Sequence, residues 1–366
     1  MNLSNLKNLE REHLRQAMAE LGEKPFRGDQ VFRWVWRRRV ESVGDMTDLS
    51  AGLRERLKES RVPRLEPADV RVAEDGTTKL LIALEDGKRV EAVIIPDRER
   101  RTLCVSTQVG CAMGCTFCRT ATMGLVRHLE PWEIVEQVLV AERVLEARGE
   151  GRTVQVKGRG QAGKVERRLT NLVFMGMGEP LHNQEGTAAA CRILTDEQGI
   201  AFPPRRITVS TVGLADRIEA FLAATGVNLA ISLNAPDDAI RSEIMPVNRK
   251  FDMDALLGTV AGLELSRRQR VTFEYVLLKG LNDGIAQAHT LASRLVEVAD
   301  RIKINLIPFN PHEGADYGRP SMDDVEAFRE TLLARGVEKV HVRRPRGDRI
   351  LAACGQLALE KKPGKS

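Results

Sequence analysis

Aromatic residues are scarce in this chain: 3 Trp, 2 Tyr and 10 Phe among 366 residues, or 4%. That scarcity excludes a base-stacking platform running along the whole molecule. No stretch approaches the roughly 18 apolar residues of a membrane span. The opening MNLSNLKNLEREH is charged almost at once and lacks the apolar core of a secretory leader. A surplus of one charge is nearly missing too: 56 basic against 51 acidic residues give +5, only a mild hint of a polyanionic partner. These absences predict a cytoplasmic protein. At about 150 residues per domain the length predicts two or three domains. Six cysteines in a reducing compartment then read as metal ligands or reactive thiols, not as a disulfide framework.

Residues 1 to about 62 read as helical, with Leu3, Leu6 and Leu9 opening one apolar stripe and Phe32, Trp36 and Val40 marking another. Trp34 and Trp36 sit beside Arg33, Arg37, Arg38 and Arg39. A basic, aromatic helix of this kind can touch nucleic acid; equally, the tryptophans can face a core while the arginines face water. From 68 to 95 the rhythm changes to period two, broken by Asp75-Gly76 and Asp86-Gly87, which predicts a three-stranded antiparallel meander. Beyond residue 100, strands at 102–108, 171–176, 206–211, 228–234, 271–278 and 302–307 alternate with helices at 131–148, 185–196, 253–266 and 284–298. A helix at 321–335 and a strand near 339–344 close the chain. Such alternation implies parallel βαβ units, in a barrel or a doubly wound sheet. The Gly-, Lys- and Arg-rich stretch 149–168 reads as a mobile basic loop.

Four of the cysteines fall within fifteen residues, Cys104, Cys111, Cys115 and Cys118, whereas Cys191 and Cys354 stand apart. Cys191, with Ile193 and Leu194 nearby on a helix, reads as packing. Cys111, Cys115 and Cys118 have the spacing C-x3-C-x2-C, with Gly110 and Gly114 giving the backbone freedom to wrap one centre. The loop follows the first barrel-type strand and so lies at the C-terminal mouth of the sheet, where barrel enzymes do chemistry. Structural zinc wants four ligands, usually in two separated knuckles, and Cys104 is the nearest fourth ligand. An iron–sulfur cluster held by three thiolates instead leaves one iron open to a small ligand.

The C-x3-C-x2-C loop with aromatic Phe117 before its third cysteine resembles the radical S-adenosylmethionine (SAM) enzymes. The resemblance implies a [4Fe–4S] cluster on Cys111, Cys115 and Cys118, with SAM chelating the open iron. MGMGEPL at 175–181 resembles the family's Gly-Glu motif, which implies that Gly178 and Glu179 receive the SAM amino group. Ser210, Ser232, Leu233, Asn234 and Asn310 match further SAM-contacting positions, each at the C-terminal end of an expected strand. The family commonly has histidine where this chain has Asn234, a departure from its pattern. Cys354 in RGDRILAACGQL, taken with Cys104, extends the likeness over nearly the whole chain to the RlmN type of RNA adenine methyltransferase. The fold this implies is α/β: a partial (β/α)6 TIM-like radical SAM barrel at 101–345. It carries an N-terminal helical accessory domain at 1–65, an antiparallel β extension at 66–100, and a C-terminal segment at 346–366.

The resemblance also implies a reaction. Carbon C2 of adenine is electron-poor and cannot attack the methyl group of SAM as a ring nitrogen can, so a radical route is needed. In the family mechanism Cys354 takes a methyl group from one SAM, and a second SAM, cleaved reductively, yields a radical that removes hydrogen from that S-methyl group. The carbon radical adds to adenine, Glu91 accepts the ring proton, and Cys104 attacks the Cys354 sulfur, leaving a transient disulfide for a reductant to open. Implied partners are 23S ribosomal RNA, transfer RNA and an electron donor such as flavodoxin or ferredoxin, with the protein a monomer. Arg33 with Arg37–Arg39, the 152–168 stretch, and Arg343, Arg344, Arg346 and Arg349 are the local basic groups available for phosphate. Methylation at C8 by the Cfr relatives is the alternative within the class; a non-catalytic, zinc-holding RNA-binding protein is the alternative outside it.

Overall fold

The computed structural model describes residues 2–158, 161–266, 269–343, 347, 350–353 and 355–357, with the backbone alone for 152–158 and 161–167. Strands β1 (Pro67–Val72), β2 (Thr78–Ala83), β3 (Arg89–Asp97) and β4 (Arg100–Cys104) run antiparallel to one another. The Asp-Gly turns fall between β1 and β2 and between β2 and β3, as their sequence requires. Two short strands, β5 (Gln108–Gly110) and β6 (Leu125–His128), pair across the base of the cysteine loop.

Helix α4 (Pro131–Ala147) follows, opened by a capping box between Glu130 and Glu133. The segment expected to be a basic loop forms a hairpin, β7 (Arg152–Gly158) with β8 (Gln161–Arg167), in register from Arg152–Arg167 to Gly158–Gln161. Val154 and Val156 already alternate with Thr153, Gln155 and Lys157 in the sequence; the dense glycine and positive charge concealed a strand pattern.

The remaining strands are β9 (Asn171–Phe174), β10 (Ile207–Thr211), β11 (Asn228–Ser232), β12 (Val271–Leu277), β13 (Ile302–Pro308) and β14 (Val340–Val342). From β4 through β9 to β14 all pairings are parallel. One ten-stranded sheet therefore runs β1-β2-β3-β4-β9-β10-β11-β12-β13-β14. The architecture is a partial parallel barrel whose first strand carries the antiparallel meander as a direct extension. Covering helices are α5 (Gln184–Thr195), α6 (Ala215–Thr225), α7 (Asp238–Ile244), α8 (Met253–Gly262), α9 (Ile285–Leu295) and α10 (Met322–Ala334). The expected strand at 102–108 stops at Cys104, because the chain leaves the barrel there to begin β5.

Before the sheet lie three short helices at Arg11–Glu20, Phe26–Arg33 and Ala51–Arg56, with a π turn at Trp34–Arg38. Trp34 and Trp36 are buried while Arg37, Arg38 and Arg39 are exposed. Arg38 lies over the Trp34 ring, 3.9 Å from its centroid, so the tryptophans serve the core and the guanidiniums remain in water. The helical unit is joined to α4 by a buried ion pair, Lys7 Nζ to Glu136 Oε1 at 2.6 Å. The backbone N–H of Leu65 donates to the other oxygen of Glu136.

Candidate active site

Each barrel strand delivers its site residue at its C-terminal end, because the βα loops all begin there. One cavity at that mouth is lined by Cys111, Cys115 and Cys118 from the loop after β5, and by Gly178 and Glu179 after β9. Ser210 from β10, Ser232 and Asn234 from β11, and Asn310 after β13 line it as well. Nine residues singled out in the sequence thus meet in one space. Leu233 lies behind them, fully buried, and its carbonyl accepts from Arg241 Nε at 3.1 Å. Glu91 and Cys104 do not line this cavity. They are buried in β3 and β4 on one face of the sheet, since Val93 pairs with Cys104 and Glu91 lies two residues from Val93. Cys354 lies outside the described residues, as do Arg344, Arg346 and Arg349. Among the described residues there is no disulfide.

The thiols carry an electrostatic demand. Burial pushes the Cys111 thiol up to about 12, with the charge of Cys118 adding to the effect. Burial likewise holds Cys115 well above the ordinary value, aided by Cys118 and Cys111. Three thiolates cannot share this apolar wall without a cation to neutralise them. Among the described residues no three His, Cys, Asp or Glu side chains converge on a point suited to a single ion. A polynuclear cluster makes no such demand, because each of its irons takes a different cysteine. The donor set therefore fits an iron–sulfur cluster.

Glu179 is the complementary partner. Burial raises its carboxyl to about 7, although the N–H groups of Val212 and Leu181 donate to it at 2.8 and 3.0 Å. A buried carboxylate already fixed by two amides suits a ligand ammonium group, which would restore its charge. Gly178 adopts φ +99°, and a Cβ there would lie 2.5 Å from that of Gln108. Only glycine lets this turn approach β5, the strand that leads into the cysteine loop, so closely. Asn234 also has positive φ (59°), a conformation asparagine tolerates. Its side chain accepts from Val276 N at 2.9 Å and donates toward Met245 Sδ, so its role toward β12 is local fixation.

Sequence reasoning missed several residues. Arg241 is fully buried and donates to the carbonyls of Leu233 and Val212 and to Asn248 Oδ1; nothing in a lone arginine signalled this. Glu274 lines the cavity and is bonded to Asn305 Nδ2 at 2.8 Å, with its carboxyl raised by burial. Its place between Phe273 and Tyr275, both fully buried, with Tyr275 against Phe328 of α10, was the available signal. Lys79 sits 3.1 Å from Glu91, and both are almost fully buried.

Clustered thiols facing a buried carboxylate at the mouth of a parallel barrel suit reductive cleavage of SAM, and residues 105–292 match the family model described as the Radical SAM superfamily. The chain is a radical SAM enzyme, and with that family come an iron–sulfur cluster and SAM. Residues 4–62 match a second model, the Ribosomal RNA large subunit methyltransferase N-terminal domain. The chain is 47% identical over 361 residues to the "Dual-specificity RNA methyltransferase RlmN" of Anaeromyxobacter dehalogenans, covering 98% of this chain and 93% of that one. It is 43% identical over 357 residues to the protein of the same name from Magnetococcus marinus, covering 97% and 95%. A solved radical SAM methyltransferase from Sphaerobacter thermophilus superposes with TM-score 0.81 at 40% identity, covering 96% of this chain and 98% of that one. This chain belongs to the RlmN family of radical SAM RNA methyltransferases. No helix among the described residues is long and apolar enough to cross a membrane.

Proposed function

We propose that the protein methylates C2 of an adenosine in 23S ribosomal RNA, and of an adenosine in certain transfer RNAs, by way of an S-methylated Cys354. The observation that carries this reading is the anchoring of the chain around Cys354. Arg119 N, next to the last cluster cysteine, donates to Gly355 O at 2.8 Å, and Thr120 Oγ1 donates to Leu357 O. Gly355 itself lines the cavity. This tie between the residues that follow Cys354 and the loop that bears Cys118 supports the reading.

Cys111, Cys115 and Cys118 would hold one [4Fe–4S] cluster, and Glu179 would fix the SAM amino group. When bound, the cluster supplies the electron that cleaves SAM, and two SAM molecules serve each turnover. The protein's own groups handle the rest. Cys354 carries the methyl carbon and forms the bond to the base, Glu91 takes the proton from C2, and the odd electron of the adduct would pass to an acceptor such as the cluster. Cys104 then attacks the Cys354 sulfur; the S–C bond breaks with its electron pair on carbon, which gains a proton to give the methyl group. The resulting Cys104–Cys354 disulfide is transient and is reopened by a thiol reductant. An electron donor of the flavodoxin or ferredoxin type and a monomeric enzyme complete the proposal.

Anaerobic reaction of the cluster-loaded protein with SAM, reductant and an rRNA fragment tests it. C2-methyladenosine and 5′-deoxyadenosine are the expected products; C8-methyladenosine would move the chain to the alternative chemistry. A Cys354→Ala protein that still methylated RNA would overturn the mechanism. Cys104→Ala should trap an RNA–protein adduct.

A further inference from the structure

Behind the Glu179 turn lies a hydrogen-bond network that the reaction does not use. The backbone N–H of Glu179 donates to Oε1 of Gln108 at 2.8 Å, which fixes which end of that fully buried amide is oxygen. The amide nitrogen then faces two imidazoles, His128 Nδ1 at 2.8 Å and His182 Nδ1 at 3.3 Å. An amide nitrogen can only donate, so its two hydrogens go to the two rings and each Nδ1 must be a bare acceptor. Both histidines are therefore held as neutral Nε2–H tautomers, with that N–H turned away from the buried amide. Burial and the nearby Arg217 lower both imidazoles further, in keeping with the neutral form. The rings stand edge to face with centroids 5.0 Å apart; His128 is exposed and His182 partly so.

One cation, Arg217, acts on both imidazoles. Arg217 spends one N–H on Leu181 O at 2.8 Å and forms no ion pair with a described carboxylate; its sequence neighbour Asp216 pairs with Lys250 instead. Helix α5 begins two residues after His182 and α6 begins two before Arg217, each with one acidic residue in its first turn, Glu185 and Asp216. The tautomers exclude a metal ion, because ligation through Nε2 needs a bare Nε2 and a proton on Nδ1 that Gln108 cannot accept.

We infer that His128, His182 and Arg217 form a docking site for a phosphate of the RNA substrate beside the Glu179 turn, with two neutral N–H donors and one guanidinium. Gln108 joins this site to the turn that holds SAM. The inference rests on RNA being the substrate.

The test measures binding of an rRNA transcript by the cluster-loaded full chain across a salt series, beside SAM affinity. His128→Phe and His182→Phe should each weaken RNA binding about three- to tenfold. They should leave the salt slope unchanged, because a neutral donor displaces no counterion. Arg217→Gln should weaken binding and lower the slope by about 0.7, the share of one phosphate on single-stranded RNA. RNA affinities within about twofold of wild type in all three variants would overturn the site. So would a loss in His128→Phe matched by an equal loss of SAM affinity, since the network would then only support Glu179. Failure of the wild-type enzyme to methylate any RNA is a separate result, which removes the functional reading itself.

Discussion

Lys79 Nζ and Glu91 Oε1 stand 3.1 Å apart, with each side chain only 4% exposed. An ion pair so far from water persists only because each charge compensates the other, and removing one partner of such a pair costs about 3–5 kcal/mol. It also sets the Lys79 ammonium beside the carboxylate proposed to take the proton. Lys79→Met should destabilise the protein by that order in denaturant titration. It should slow adduct resolution while 5′-deoxyadenosine still forms, so the RNA–protein adduct should accumulate. Lys79→Arg should restore much of both. A Lys79→Met enzyme with wild-type resolution would separate the ion pair from the base.

The thiols differ in reach. Cys118 is half-buried, whereas Cys111 and Cys115 are buried with raised thiols. Since the thiolate is the nucleophile, mass-spectrometric alkylation near pH 8 should mark Cys118 first. Cys191, fully buried and pushed up to about 12, should remain unmodified. Reconstitution with iron and sulfide should protect Cys118 and release protons. Alanine at any of Cys111, Cys115 or Cys118 should abolish the brown chromophore.

Glu179 sets a pH dependence. Its carboxyl sits at about 7 in the folded chain, above the ordinary value, so it is protonated over much of the range between the two. The protonated form cannot pair with an ammonium group, so SAM affinity should fall about tenfold per unit as pH drops below 7. Stability without ligand has the opposite trend: the contribution of the neutral carboxyl is lost as pH rises through 7. Calorimetric SAM titration from pH 6 to 8.5 checks the first trend. Glu179→Gln should bind weakly at every pH and flatten the profile.

Arg241 is the buried strut beneath the SAM wall, its guanidinium lowered to about 10 by burial. Arg241→Met would leave the carbonyls of Val212 and Leu233 without that donor, at about 1–3 kcal/mol for each unsatisfied group. We expect a lower melting temperature and a raised KM for SAM, with little change in the iron bound per chain.

Much of this was legible in the sequence, for physical reasons. Period-two patterning with Asp-Gly turns gave the meander; alternating strand and helix gave parallel βαβ units, and the family resemblance chose the barrel over a doubly wound sheet. Cysteine spacing and Gly178-Glu179 located the cavity, because residues that end parallel strands must share one mouth. What escaped notice depends on distant pairing. Lys79 in TTKLLIA looks like a solvent-facing strand residue; only the register of β2 against β3 brings it to Glu91. Gln108 and Arg241 carry no local signal, since their partners lie far away in the chain. The hairpin at 152–167 was hidden because composition spoke for a loop while alternation spoke for strands.

The continuity of β3 with β4 governs how substrate can enter. The strand holding Glu91 is joined to the first barrel strand by five consecutive residue pairs, Val93–Cys104 through Asp97–Arg100. No hinge lies between base and barrel, and separating them means unzipping a sheet. Clearance for a nucleotide must therefore come from parts held by side chains and a few isolated bonds. Gly355 and Leu357 belong to such a part: isolated hydrogen bonds from Arg119 and Thr120 tie them to the rigid frame.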